Sequence, residues 1–232
     1  EAIAGECGWS VLGALERGES LEAVEQVQPA LFAVGVSLAA QWREWGVEPS
    51  SVVGHSMGEV AAAQVAGCLS VEEGAAVICR RSRLLRRLSG RGAMALVELS
   101  LAEAELRVSG EALVSVAVSN GARSTVLSGE REALRRMVEG MQAEGVFCRW
   151  VKVDVASHGP QVEELGPELL SSLGWLRPRP GDVALESTVH EREVSGAELT
   201  GSYWVSNLRS PVRFASAVER LVSSGHEVFI EM

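Results

Sequence analysis

The chain has 232 residues, 47% of them hydrophobic and 22% charged, with a formal net charge of −10. That is enough to bury a sizeable core and suits one domain, or one domain with an insert. The acidic balance argues against a nucleic-acid groove or an anionic membrane surface, and no apolar run approaches membrane-spanning length.

No signal peptide opens the chain. Four cysteines (Cys7, Cys68, Cys79, Cys148) lack CxxC spacing. They read as reduced thiols of a cytoplasmic protein, neither disulfide-bonded nor metal-binding. The first residue is Glu1, inside a helical pattern, and the last run, Val228–Met232, is strand-like. A fragment truncated at both ends of a longer polypeptide is expected.

Residues 1–48 read as helices, with Leu12, Leu15, Leu21 and Val24 at loose helical spacing. Pro29 is expected to open a long apolar helix through Leu31, Phe32, Val34, Leu38, Ala39 and Trp42, ended by Gly46 and Pro49. Next comes Val52-Val53-Gly54-His55-Ser56-Met57-Gly58-Glu59-Val60, a β-branched run, a Gly-x-Ser-x-Gly turn and a small-residue helix. This is the pattern of a nucleophile elbow. Gly54 and Gly58 are expected because side chains there would crowd the turn and the helix beside it. The turn presents the Ser56 hydroxyl, and N–H groups at the helix start face an oxyanion formed on an attacked carbonyl. Gly67 breaks that helix, and Ser70-Val71-Glu72-Glu73 reads as a capping box for a helix running to Leu88.

After Gly92 the texture changes. Ala93–Leu99 reads as a strand, Leu101–Val108 as a helix, Val114–Ser119 and Ser124–Ser128 as strands, Glu130–Glu144 as a helix and Val146–Val153 as a strand. The order βαββαβ is the ferredoxin-like plan, expected as an inserted subdomain over 92–153 within an α/β body of 1–91 and 154–232. Further on, a helix is expected near Gln161–Leu173, a strand at Val183–Ser187, a hairpin to Val194, a helix at Val212–Ser223 and the terminal strand.

A serine hydroxyl needs a base. His55 adjoins Ser56, and neighbours on a turn point apart, so it is expected to support the elbow beside the substrate. His190 and His226 stand in polar, surface-like contexts. His158, in Asp154-Val155-Ala156-Ser157-His158-Gly159-Pro160 directly after a strand, is the preferred base, the alternative being a loop histidine that caps the next helix. No third, acidic member is evident. Asp154 is too close along the strand, and a backbone carbonyl could orient the imidazole instead. The basic cluster Arg80, Arg81, Arg83, Arg86 and Arg87 is either a solvated face or contains one arginine for a carboxylate, and the residues alone leave the choice open.

Gly54-His55-Ser56-Met57-Gly58-Glu59, Arg81-Ser82-Arg83, Gly92-Ala93-Met94-Ala95, Val155-Ala156-Ser157-His158, Tyr203-Trp204 and Asn207-Leu208-Arg209-Ser210-Pro211-Val212-Arg213-Phe214 occur in one order. Together they resemble the acyltransferase domain of modular type I polyketide synthases, related to malonyl-CoA:acyl-carrier-protein transacylases. The resemblance covers essentially the whole chain. It implies an α/β-hydrolase-like body with a ferredoxin-like insert. It implies Ser56 as nucleophile, His158 as base and Arg81 as partner of the extender's free carboxylate. Gln28 would line the site, and the Met57 N–H would be an oxyanion donor.

The reaction implied is transfer of a malonyl or methylmalonyl unit from coenzyme A to the phosphopantetheine thiol of an acyl carrier protein, with no bound cofactor or metal. A neighbouring ketosynthase on the same polypeptide is the other partner implied. A serine hydrolase or thioesterase and a non-catalytic docking domain are the alternatives from other classes.

The chain departs from that family in three places. A Gly-Gln-Gly segment carrying the second oxyanion donor is absent. So is a Pro-His-Pro stretch, and with it a backbone contact expected to orient His158. Gly159 replaces a serine. Ser157 resembles the Tyr-Ala-Ser-His pattern of methylmalonyl-selecting relatives, whereas Val155 and Met57 depart from it; the balance leans to malonyl.

Overall fold

The computed structural model describes residues 1–153 and 155–232, so the reading of Asp154 falls outside the described residues. Helices α1 (Ala2–Cys7), α2 (Val11–Glu16) and α3 (Val24–Glu44) lead to strand β1 (Ser51–Val53). Helix α4 (Gly58–Val65) follows the elbow, and α5 (Val71–Leu85) packs against α1, α3 and α4. The capping box read at Ser70 is present. Ser70 Oγ accepts from Glu73 N at 3.1 Å, and a Glu73 carboxylate oxygen accepts from Ser70 N at 2.8 Å.

Pro29 does not open α3; it is the sixth residue of a helix that starts at Val24. The ring removes one bond, to the Glu25 carbonyl, and the longer helix retains the rest. Of the apolar face read there, Phe32 and Ala39 are buried while Leu31, Val34 and Leu38 are exposed, so the packed stripe is narrow.

The next strands are β2 (Gly92–Val97), β3 (Val114–Gly121), β4 (Ser124–Glu130) and β5 (Cys148–Trp150), with helices α6 (Leu101–Val108) and α7 (Arg131–Ala143) between them. They form one sheet in the order β3-β4-β2-β5, antiparallel throughout, as the ferredoxin-like reading requires. Leu127, Leu134, Val97 and Val138 are buried between this sheet and its helices.

Helix α8 (Gly166–Ser172), strands β6 (Ala184–Ser187) and β7 (Arg192–Val194), and helices α9 (Gly201–Arg209) and α10 (Phe214–Ser223) complete the chain. Strand β6 pairs parallel with β1 and antiparallel with β7, giving a second, three-stranded sheet. The parallel pair places the elbow at the C-terminal end of β1, where α/β folds carry their sites. The four-stranded sheet meets the segment between α9 and α10 where Val118 of β3 bridges Val212, with Ser119 N donating to Val212 O at 2.9 Å.

Three readings need correction. The stretch near Gln161–Leu173 is a 3₁₀ segment, Pro160–Leu165, followed by α8. Helix α9 is not among the expected elements, and it carries Tyr203, Trp204 and Asn207 into the interior. The terminal run Val228–Met232 is not a strand: no described strand pairs with it, and its large apolar side chains are exposed. Strand character comes from a ladder, which propensity alone does not supply.

Candidate active site

The elbow forms because β1 ends at Val53 and the chain reverses through Gly54 into α4. A Cβ at Gly54 would lie 2.1 Å from the Glu59 backbone nitrogen, so only glycine fits. Gly58 is different: a Cβ there meets nothing within 4 Å, so crowding does not account for it. Ser56 has φ 55°, a left-handed conformation that a serine adopts only under constraint.

His158 is 2% exposed, also at positive φ (59°), with its backbone N–H donating to Leu208 O at 3.1 Å. Its Nε2 lies 2.6 Å from Ser56 Oγ, across 102 residues of chain. Its Nδ1 lies 2.9 Å from the Ser210 carbonyl. A carbonyl only accepts, so Nδ1 carries the hydrogen and Nε2 offers its lone pair to the Ser56 hydroxyl. The backbone contact expected to be lost is thus supplied by the loop after α9. Burial, then the Arg81 charge, push the His158 pKa down to about 3, which keeps the imidazole neutral and able to accept a proton. A Cβ at Gly159 would lie 2.9 Å from Ser115 Oγ, whose hydroxyl donates to the His158 carbonyl at 3.3 Å.

Neither His190 nor His226 meets Ser56. His190 stacks edge-on near Tyr203, and His226 contacts Leu221 O and Ser224. His55 Nε2 lies 2.8 Å from Asn120 Oδ1 on β3, and its ring is 5.2 Å from that of Phe214. His55 therefore ties the elbow to the four-stranded sheet. The Met57 N–H, at the start of α4, is taken by no acceptor among the described residues. Such an N–H is available to an oxyanion.

The arginine cluster separates by partner. Arg80 pairs with Glu6 at 2.7 Å, Arg86 with Glu25, Arg87 with Glu168 at 2.5 Å, and Arg83 donates to the Glu6 carbonyl. Arg81 is 2% exposed, has no carboxylate within ion-pair distance among the described residues, and leaves its Nε without a partner. Burial lowers its pKa to about 10, which still leaves it cationic at neutral pH.

Among the described residues its one hydrogen bond runs from a terminal guanidinium nitrogen to Asn207 Oδ1 at 2.8 Å. The sequence pattern assigns a site role to neither Asn207 nor Glu59. Glu59 is fully buried and accepts from Thr188 N and Oγ1 at 2.6 Å, and from Tyr203 OH and Asn207 Nδ2 at 2.8 Å. Burial pushes its pKa up and the four donors pull it back. The signal in the sequence was an acidic residue followed directly by the apolar run Val60–Ala63 in a short helix, which asks for a buried partner.

Ser157 is half-buried, its hydroxyl 3.8 Å from Met94 Sδ. Gln28, on α3, has a buried side-chain oxygen without a partner, and no hydrogen bond joins it to Ser56, His158 or Arg81 among the described residues. Among the described residues there is no cluster of potential metal ligands, no disulfide, and no helix long and apolar enough to cross a membrane.

The acyl transferase domain family matches residues 1–232. Erythronolide synthase EryA2 of Saccharopolyspora erythraea is 49% identical over 236 residues, taking in 100% of this chain and 7% of that protein. The spectinabilin polyketide synthase system protein NorA of Streptomyces orinoci is also 49% identical over 236 residues, covering 100% of this chain and 12% of that protein. The chain therefore spans a small fraction of these relatives' length. The acyltransferase domain from module 8 of the salinomycin polyketide synthase superposes with a TM-score of 0.94 at 42% identity, over 97% of this chain and 54% of that one. The malonyl CoA-acyl carrier protein transacylase of Coxiella burnetii gives 0.90 at 25% identity, over 97% and 74%. With the whole chain matched, and nearly half its residues shared with polyketide synthases, it belongs to the acyl transferase domain family.

Proposed function

We propose that the chain loads a malonyl-type extender unit from coenzyme A onto the phosphopantetheine thiol of an acyl carrier protein during polyketide synthesis. The observation that carries this is the 2.6 Å contact between Ser56 Oγ and a buried His158 Nε2 whose Nδ1 is already held by a carbonyl.

In the first half-reaction Ser56 Oγ attacks the thioester carbonyl carbon while its proton passes to His158 Nε2. The carbonyl oxygen becomes an oxyanion, faced by the Met57 N–H. The C–S bond breaks, and the departing thiolate takes the proton back from the imidazolium. In the second half-reaction the carrier's thiol gives its proton to His158, its sulfur attacks the acyl-serine, the C–O bond breaks and Ser56 regains its hydrogen. Neither step needs a metal or a bound cofactor.

Arg81, cationic and without a carboxylate partner among the described residues, supports a substrate carrying its own carboxylate, and its buried Nε is an unsatisfied donor. A plain hydrolase or thioesterase has no use for such a cation. Ser157 leaves room beside His158 and permits methylmalonyl; Met57 and Val155 tilt the reading to malonyl. Gln28 is assigned to the wall of the site and His55 to the elbow beside the acyl group. A ketosynthase on the same polypeptide would take the loaded carrier's product. Unpaired cysteines suit a reducing compartment such as the cytoplasm.

The test is intact-mass analysis after mixing the chain with malonyl-CoA, with and without carrier protein. A malonyl adduct on Ser56 that disappears onto the carrier is expected, with no adduct in Ser56→Ala. Release of free malonate without transfer would favour the hydrolase, and an undiminished adduct in Ser56→Ala would remove Ser56 from the reaction.

A further inference from the structure

Asn207 opens the Asn207–Phe214 pattern, and the family resemblance gives it no role. It sits on α9, 1% exposed, and its single amide touches three groups. Its Oδ1 accepts from Arg81 at 2.8 Å, and its Nδ2 donates to Glu59 Oε2 at 2.8 Å and to the Ser56 carbonyl at 3.3 Å.

Chemistry fixes which way the amide faces. The Glu59 carboxylate and the Ser56 carbonyl only accept, so the NH₂ must point to them. The guanidinium only donates, so Oδ1 must point to Arg81. Reversing the amide would set acceptor against acceptor on one side and donor against donor on the other, in a buried site where each mismatch goes uncompensated. Glu59 is itself held on both oxygens by Thr188 and Tyr203, so it is a rigid clamp for the amide.

Two functional groups depend on this one side chain. Arg81 has no other hydrogen bond among the described residues, so its head-group orientation rests on Oδ1. Ser56 holds its left-handed backbone with its carbonyl taken by Nδ2.

We propose that Asn207, clamped by Glu59, is a positioning residue that sets both the Arg81 guanidinium and the Ser56 peptide. It would thereby tie selection of a carboxylated acyl group to the geometry of the nucleophile. This rests on the reading of Arg81 as the partner of the substrate carboxylate.

The experiment is single-turnover loading of Ser56 on the full chain, read by intact mass, with malonyl-CoA and acetyl-CoA in parallel. Asn207→Asp keeps the shape but replaces the donor by an acceptor facing Glu59, and gives Arg81 a carboxylate of its own. Asn207→Leu keeps the volume and removes both functions. Each should lower the malonyl-to-acetyl loading ratio about tenfold or more, the scale of one hydrogen bond to a charged group. Adding either change to Arg81→Ala should move the ratio no further.

Thermal melting reports the fold; if the Leu variant unfolds, the Asp variant decides. Equal losses for both acyl groups, or loss of folding in both variants, mark Asn207 as merely structural and overturn the inference. A ratio that falls in Arg81→Ala but not in the Asn207 variants overturns it alone. A ratio unchanged in Arg81→Ala overturns the reading of Arg81 and this inference with it.

Discussion

Ser56 Oγ and His158 Nε2 meet at 2.6 Å, and both residues carry left-handed backbone, at φ 55° and 59°. Such conformations cost about 1–3 kcal/mol each and persist only where the surroundings over-determine them. Gly54, the start of α4 and the Asn207 amide hold the first; the Leu208 and Ser210 carbonyls hold the second. The strain is placed where the hydroxyl and the imidazole must face each other.

The base is held neutral far below the usual histidine range, and this predicts a pH profile. A base works deprotonated, so lowering its pKa preserves the active form as pH falls. Activity is lost only as pH passes down through the folded value of about 3. The acylation rate should therefore show no histidine break between about pH 5 and 8. Removing the Arg81 charge withdraws one of the causes and should raise the apparent pKa. Pre-steady-state acylation across that range, wild type against Arg81→Ala, gives the answer; a wild-type break near pH 6.5 contradicts it.

Arg81→Ala should spare acetyl loading and depress malonyl loading. Truncating one partner of a buried charge pair costs on the order of 2–5 kcal/mol. Parallel measurement of kcat/KM for the two esters tests this; equal losses would make Arg81 a structural cation.

Ser157→Phe should suppress methylmalonyl loading more than malonyl loading. The half-buried Ser157 hydroxyl faces Met94, and a phenyl ring would take the space beside His158. One methyl in a pocket is worth about 1–3 kcal/mol, so the preference should shift by roughly 10–200-fold. Competition between the two esters, read by mass on Ser56, shows the shift. A wild type that loads almost only methylmalonate would reverse the lean to malonyl.

Gly54→Ala and Gly58→Ala should part company. The first drives a Cβ into the Glu59 backbone and should lower stability by about 1–3 kcal/mol or more, with loss of loading. The second meets open space and should fold and load. Thermal melting and adduct mass on both variants decide; similar damage at the two positions would show that Gly58 is needed for something other than room.

By itself the sequence determined the elements whose causes are local. The β-branched run, the Gly-x-Ser-x-Gly turn, the Ser70 capping box and the βαββαβ order are written in neighbouring residues, so the elbow and the four-stranded sheet were legible. That Val228–Met232 forms no strand among the described residues was not, because strand character depends on a ladder with another segment, which the run's own residues do not encode.

The five arginines looked alike in the sequence. Only the fold gave four of them partners and buried the fifth against Asn207. The partner that orients the Ser56–His158 pair was not an acid to be found by reading but the Ser210 carbonyl, a backbone group that every residue possesses. Contacts across 102 residues between Ser56 and His158, and across 126 between Arg81 and Asn207, depend on how β1, α5, α9 and the loops pack. Burial then shifts the His158 and Arg81 ionisations by removing water, an effect that no local pattern of residues encodes.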